Sequence, residues 1–262
     1  MPHIAENKNN LNLDILEKIA ETIHIKAMEY CKTKKKAFIV GISGSVSVGK
    51  TTTSKKISHI IQKYKILNKI KVISTDSFLM NLEELNKKEL LDRKGFPESY
   101  NNELMIKFIK NVRDNKKQIN TPVYSQKHYD ILEKKFNTFT APDILIIEGL
   151  NTLNPNKKLK DMINYKIYID ANDKLIKKWY LNRFIQAKRT KFQDPESYFH
   201  NISKMSDREA IKIGIKYWNN INLKNLEENI LPNKRYADMV IQKTTNHYIK
   251  NIEIKDKLTA PD

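Results

Sequence analysis

The stretch Gly41-Ile42-Ser43-Gly44-Ser45-Val46-Ser47-Val48-Gly49-Lys50-Thr51-Thr52 constrains this chain more than any other, because it joins an apolar run to a helical pattern through glycines. From Gly44 it fits G-x-x-x-x-G-K-[ST]. Glycine lets the backbone approach a ligand closely and turn through positive φ, so successive N–H groups can aim at phosphate oxygens. In such a cradle, built from Gly44, Ser45, Val46, Ser47, Val48 and Gly49 and continuing through Thr52, Lys50 reaches the outer phosphates and the Thr51 hydroxyl holds Mg²⁺. The helix starting here adds the positive end of its dipole. Short patterns match by chance, but the chain has only 6 glycines and three of them fall between positions 41 and 49. The flanks agree as well: Ala37-Phe38-Ile39-Val40 suits a buried parallel strand, and Ile57, Ile60, Ile61 and Tyr64 recur at helical spacing.

With 262 residues the chain can bury a substantial core, and one large α/β domain is the simpler expectation. No apolar run approaches the roughly 20 residues that cross a bilayer, and residues 1–10 are polar, without the basic and apolar tract of a secretory leader. A soluble protein is expected. The single cysteine, Cys31, excludes an intrachain disulfide and suits the reducing cytoplasm. A net charge of +18 arises from 48 Lys and Arg against 30 Asp and Glu. The lysines are spread along the chain, for example at residues 32–36, 116–117, 134–135 and 157–158, as in solvated loops and helix faces. Such a field attracts nucleotides and small anions as readily as nucleic acid, so charge alone does not choose a partner.

Taken in order, Leu13, Leu16, Ile19, Ala20, Ile23, Ala27 and Cys31 follow helical spacing and predict an amphipathic helix covering the sheet. Residues 69–74 predict a second strand ending at Asp76. An acidic residue there stands beside the crevice where open α/β sheets bind ligands, although the position also suits a turn or helix cap. Residues 77–101 are polar and irregular, a surface loop or part of a lid. A helix with Leu104, Met105, Phe108, Ile109 and Val112 on its apolar face precedes two extended segments, residues 122–125 and 129–132, that suggest a hairpin or flap. The apolar run 143–147 ends in Glu148, which near the cradle Thr can organise Mg²⁺ directly or through water; otherwise it caps a buried strand. Another strand is expected at 165–170, and 173–189 reads as a long helix carrying Arg183, Lys188 and Arg189. Arginine suits phosphate because its fork matches the oxygens, yet basic residues on a helix also form solvated faces. A mostly helical region over 197–230 and a last core strand at 237–241 follow, then Asn246-His247. Strands alternating with helices imply a parallel sheet with right-handed crossovers. No repeat and no zinc-spaced Cys/His cluster is present.

From about Phe38 to His247 the chain resembles the type I, bacterial pantothenate kinases of the P-loop kinase superfamily. The resemblance is carried by residues 44–51, Ser74-Thr75-Asp76-Ser77-Phe78, residues 94–100, Pro122-Val123-Tyr124-Ser125, Ile147-Glu148-Gly149-Leu150-Asn151, residues 179–184, residues 194–201 and Asn229-Ile230-Leu231-Pro232. It implies a P-loop NTPase-like three-layer α/β/α fold with a mostly parallel central sheet and a helical substrate lid. Residues 1–36 would be an N-terminal helical segment and 37–262 one kinase domain, with substrate-binding elements at about 77–140 and 173–235. The implied reaction is phosphorylation of the primary hydroxyl of pantothenate by ATP with Mg²⁺, the first step towards coenzyme A.

By that analogy Lys50 and Thr51 serve the phosphates and Mg²⁺, with Glu148 completing the metal site. Asp76 receives or orients the hydroxyl proton, and Arg183 balances charge at the transferred group. Tyr124, Tyr129, Tyr180 and Asn229 hold pantothenate, with Phe184 and Phe192 as apolar contacts; Lys55 lies near the nucleotide and His247 near the adenine and coenzyme A site. Feedback inhibition by coenzyme A and a homodimer are further implications. The chain departs from the family at Gln126, where a histidine is usual although His128 lies two residues on, at Ala187, where an aromatic lines the pantothenate tail, and at Lys55, where arginine is usual. The region before the cradle is also shorter. Two other readings remain open at this level: a related kinase acting on uridine or ribulose 5-phosphate, and a nucleic-acid-binding P-loop protein.

Overall fold

The computed structural model describes residues 2–153 and 156–255. Its helices are α1 (Pro2–Lys34), α2 (Lys50–Ile61), α3 (Leu82–Lys87), α4 (Asn102–Arg113), α5 (Lys157–Asp161), α6 (Asp173–Arg189), α7 (His200–Ser203) and α8 (Asp207–Tyr217). The strands are β1 (Phe38–Gly44), β2 (Ile70–Ser74), β3 (Ile119–Ser125), β4 (Asp130–Phe139), β5 (Ile144–Glu148), β6 (Tyr165–Ala171), β7 (Met239–Lys243) and β8 (Ile249–Ile254). Six strands form one sheet in the order β2-β5-β1-β6-β7-β8, parallel except for the edge strand β8, and β3 with β4 makes a separate antiparallel hairpin. The chain is thus α/β with a mostly parallel sheet, as expected. The antiparallel β8 was not anticipated: Lys250, Asn251 and Glu253 break its apolar run on both faces, as suits an edge strand rather than a buried one.

Alternation along β1 divides the core. Phe38, Val40 and Ile42 face a layer made by Leu16, Ile19, Ala20, Ile23 and Ala27 of α1 and Ile57, Ile60 and Ile61 of α2. Ile39 faces the other way, with Leu145 and Ile147 of β5, towards Met105, Phe108, Ile109 and Val112 of α4. All of these side chains are buried, so the sheet is covered on both faces, the arrangement that central parallel strands require. The helix expected from Leu13 onwards begins earlier, at Pro2. The irregular region 77–101 resolves into short helical turns, including α3, which carries a reciprocal Asn81–Glu84 capping box.

One glycine shows how tightly the strand ends pack. A Cβ on Gly149 would lie 1.7 Å from Thr75 Oγ1, and Thr75 is buried in the turn that carries Asp76. Gly149→Ala must displace that turn. We expect it to destabilise the protein by about 1–3 kcal/mol, the usual cost of overpacking, and to lower turnover as well; thermal unfolding and steady-state rates read the two effects.

Candidate active site

The register of the sheet assembles the candidate site. Ile42 of β1 and Ser74 of β2 both stand beside Glu148 of β5, so the loop after β1, the turn bearing Asp76 and the Glu148 carboxylate open on one crevice at the carboxyl ends of the strands. Open α/β sheets bind ligands in such crevices. The loop has the backbone of a phosphate cradle: Gly44, Ser47 and Gly49 all have positive φ, at 145°, 59° and 91°, and α2 begins at Lys50. Gly49 is favoured here by its φ of 91°; a Cβ would lie 2.8 Å from Lys243 Nζ, a side-chain end that could shift.

Lys50 Nζ donates to the carbonyl oxygens of Gly44 (3.0 Å) and Ser45 (2.9 Å), closing the loop on itself. Burial lowers its pKa to about 8; the carboxylates of Glu148 and Asp76 oppose that shift, and Arg183 adds to it. Thr51 Oγ1 donates to Glu148 Oε1 at 2.7 Å. Burial raises the Glu148 carboxyl, against Lys50 and the Thr51 hydrogen bond, with Lys55 also holding it down. Asp76 is raised by burial too, and Lys50, Arg183 and Lys94 pull the other way. Lys50, Thr51, Asp76, Glu148 and Arg183 therefore meet in one electrostatic cluster, and Lys55 borders it. Thr52 is exposed on the first turn of α2, next to the cradle.

On the other side of Asp76 lie the tyrosines. Lys94 Nζ stands 4.0 Å from the Tyr129 ring centroid and 5.3 Å from that of Tyr124, and it donates to the Tyr129 carbonyl. Burial raises the phenols of Tyr124 and Tyr129, and pushes Tyr180 to about 12. All three keep their protons near neutrality, so each can donate a hydrogen bond. Phe184 packs behind Tyr180, with ring centroids 6.1 Å apart, and meets Phe192 edge-on at 5.7 Å. Those two phenylalanines lie in a cluster with Ile202 and Ala210, and Ala187 borders it. Asn229 is placed by a chain of amides from the helical stretch after α8, whereas Gln126 and His128 are exposed on the hairpin turn.

His247 stacks on Trp179 of α6 at 3.9 Å and 23°, on the far side of Gly49. Beside it, Lys243 Nζ donates to Thr53 Oγ1 at 2.9 Å, and burial brings that lysine to about 8. Sequence reasoning missed Lys243, and gave no individual role to Lys94, which burial also lowers to about 8. Among 48 Lys and Arg nothing in the sequence distinguishes a buried ammonium from a solvated one; in hindsight the only hints were the place of Lys94 in the 94–100 segment and of Lys243 at the end of an apolar strand.

Comparison with known proteins agrees with this geometry. Residues 39–194 match the phosphoribulokinase / uridine kinase family. A pantothenate kinase of Mesorhizobium japonicum is 39% identical over 84% of this chain and 72% of its own length. That of Histophilus somni is 36% identical over 94% of this chain and 79% of its own. Among solved structures the protein YGR205w superposes with a TM-score of 0.64 at 16% identity, covering 91% of this chain and 97% of its own, which speaks for the fold. The chain belongs to the phosphoribulokinase / uridine kinase family and, more narrowly, to the pantothenate kinases within it.

The electrostatics give a testable pH dependence. An Asp76 that accepts the hydroxyl proton must be ionised, and its pKa in the free protein is raised, so the acid limb of kcat/KM for the acceptor should sit above the ordinary carboxylate range. Lys50, Lys94 and Lys243 are all lowered to about 8, so kcat/KM for the nucleotide, which reports the free enzyme, should fall as pH rises through that value. A profile flat between pH 5 and 10 would contradict both limbs. Lys50→Met should abolish turnover while circular dichroism shows the fold retained.

Proposed function

We propose that this chain transfers the γ-phosphoryl group of ATP to the primary hydroxyl of pantothenate, giving 4'-phosphopantothenate at the start of coenzyme A synthesis. The observation that carries this reading is the meeting of a phosphate cradle and a half-buried Asp76 with three proton-bearing tyrosines, in a chain whose relatives are named pantothenate kinases. The cradle N–H groups and Lys50 bind the β- and γ-phosphates. Thr51 and Glu148 supply a hydroxyl and a carboxylate, the hard oxygen donors that suit Mg²⁺, which binds with few protein ligands and keeps waters and phosphate oxygens. When bound, the metal neutralises charge on the transferring group.

The residues of the chain divide the remaining work. Asp76 accepts or orients the proton of the attacking hydroxyl, and its raised pKa makes it a better base than a solvated aspartate. Arg183, at the open side of the cluster, balances negative charge in the loose transition state, where positioning and charge compensation dominate. Tyr124, Tyr129, Tyr180 and Asn229 hold the polar groups of pantothenate, with Phe184 and Phe192 along its apolar tail; Lys94 is a further cation at the acceptor end. The Trp179–His247 stack offers a flat surface for adenine, of ATP or of coenzyme A as feedback inhibitor, with Lys243 on the same flank and Lys55 towards Glu148 on the nucleotide side. We assign the hairpin region 77–140 and the helical region 173–235 to acceptor binding, and residues 1–36 to a helical cover on a kinase domain spanning 37–262, of which 256–262 lie outside the described residues. A homodimer is carried by the family resemblance, and a cytoplasmic setting accords with the free Cys31. No helix among the described residues is long and apolar enough to cross a membrane.

Incubating pure protein with ATP, Mg²⁺ and either pantothenate, uridine or ribulose 5-phosphate tests the reading: ADP should appear with pantothenate. Release with uridine or ribulose 5-phosphate alone would transfer the chain to another acceptor class. Asp76→Ala should lose turnover by several orders of magnitude while retaining ATP affinity, which nucleotide titration measures.

A further inference from the structure

Asparagine is a poor residue for a helix interior, yet the helical stretch after α8 places four in a row along one side: Asn222, Asn225, Asn229 and Asn233. This stretch is also unusual in winding, with π-helical turns over Trp218–Leu223 and Leu226–Ile230 on either side of Lys224 and Asn225. Such turns re-aim side chains and recur at functional sites. Trp218, Asn222, Asn225 and Asn229 share one face. Trp218 lies against Tyr180 at 5.6 Å, so this face looks towards the acceptor side of the site, and Asn222 Nδ2 donates to the Tyr217 carbonyl at 3.2 Å.

Asn225 is 3% exposed, and both ends of its amide are engaged. Its Nδ2 donates to the Gly95 carbonyl at 2.8 Å, an oxygen that also receives Asn151 Nδ2 at 2.6 Å. Its Oδ1 accepts from Asn229 Nδ2 at 3.1 Å. A carbonyl oxygen can only accept, so Gly95 compels Asn225 to turn its NH₂ that way and its oxygen towards Asn229. Asn229 must then spend an N–H on Asn225, and its Oδ1 is left as the acceptor. Asn233 Nδ2 holds the backbone of the same residue, donating to the Asn229 carbonyl at 2.6 Å. Gly95 is itself fixed by its neighbour: Lys94 reaches Tyr129 and the field of Asp76, and Gly95 has a φ of 94° that a residue with a side chain rarely adopts.

We propose that Asn225 is a positioning residue that sets the amide of Asn229 in one orientation, so that Asn229 presents Oδ1 and selects an acceptor substrate bearing a hydroxyl or amide N–H donor at that place. The inference rests on the kinase reading above and adds to it the sense of one hydrogen bond and the residue that dictates it. The Gly95 carbonyl is the reference, and Asn225 carries its polarity across the helix to the site. Replacing Asn225 frees Asn229 to rotate and to present NH₂ in place of Oδ1.

The test is a double-mutant cycle on acceptor KM with Asn225→Ala, Asn229→Ala and the pair, repeated with Asn225→Asp, which keeps the side-chain volume and removes the donor to Gly95. Asn225→Ala and Asn229→Ala should each raise acceptor KM by about tenfold, the worth of one substrate hydrogen bond, and leave ATP KM unaltered, whereas Asn225→Asp, whose carboxylate still accepts from Asn229, should raise acceptor KM less than Asn225→Ala does. The double variant should be no worse than Asn229→Ala alone. Additive losses of about a hundredfold, an unchanged acceptor KM in Asn225→Ala, or equal losses for ATP and acceptor would each overturn the proposal. Failure of both Asn225 variants to fold by circular dichroism would also overturn it, since the residue would then be a packing element first. If the wild-type chain turns over an acceptor other than pantothenate, the kinase reading changes its substrate while the cycle, run with that acceptor, still decides the role of Asn225.

Discussion

A half-buried ammonium held against one buried and one half-buried carboxylate is the constraint on which the rest of this structure depends. Lys50 sits under the cradle with Glu148 and Asp76 in its field, and burial drives all three towards their neutral forms; Lys50 opposes that drift in both carboxylates and they oppose it in Lys50, while Asp76 adds to it in Glu148. Isolated, any of these charges would be expensive to bury; together they are tolerated, and removing one leaves its partners uncompensated. The cluster exists only because three strands end at the same level, which in turn requires the register that sets Ile42 and Ser74 beside Glu148. The apolar layers on both faces of the sheet hold that register, since a slip by one residue would exchange the faces of β1.

Around this charged centre the two halves of the site are built differently. The phosphate side is mainly backbone: positive φ at Gly44, Ser47 and Gly49, and the start of α2. The acceptor side is side chains drawn from separate segments, namely the hairpin, the turn at Lys94, α6 and the π-helical stretch after α8. Those segments are tied to one another over the site. Lys127 at the hairpin turn pairs with Asp194 at 2.8 Å and with Glu196, and the Tyr129 ring packs on Tyr198 and Phe199 at 5.2 and 5.1 Å. The salt bridges are exposed and contribute modestly, so the aromatic contacts account for most of the cohesion there.

How much was legible in the sequence follows from the range of the interactions. The cradle, the strand-end Asp76 and Glu148, and helix α6 with its first and last residues were readable because each is encoded by neighbours within one turn or one strand. The hairpin was readable from its extended segments, although β4 runs further than expected, to Phe139. The antiparallel edge β8 escaped because its broken apolar run carries no periodic signal stronger than a loop's. Lys94, Lys243 and Asn225 escaped for another reason: burial is decided by partners far away in the chain, such as Thr53 against Lys243 and Gly95 against Asn225.

The sequence by itself determined the chemistry available: a loop able to wrap phosphate, acidic residues at the ends of apolar strands, and the motifs that place the chain among the pantothenate kinases. These properties are local, and glycine spacing or an apolar run ending in a carboxylate means the same thing in many folds. The tertiary structure alone decided which of the many lysines lose their water and how the asparagine amides are turned. Desolvation and hydrogen-bond polarity depend on atoms that only the fold brings together, and a one-dimensional pattern does not carry them.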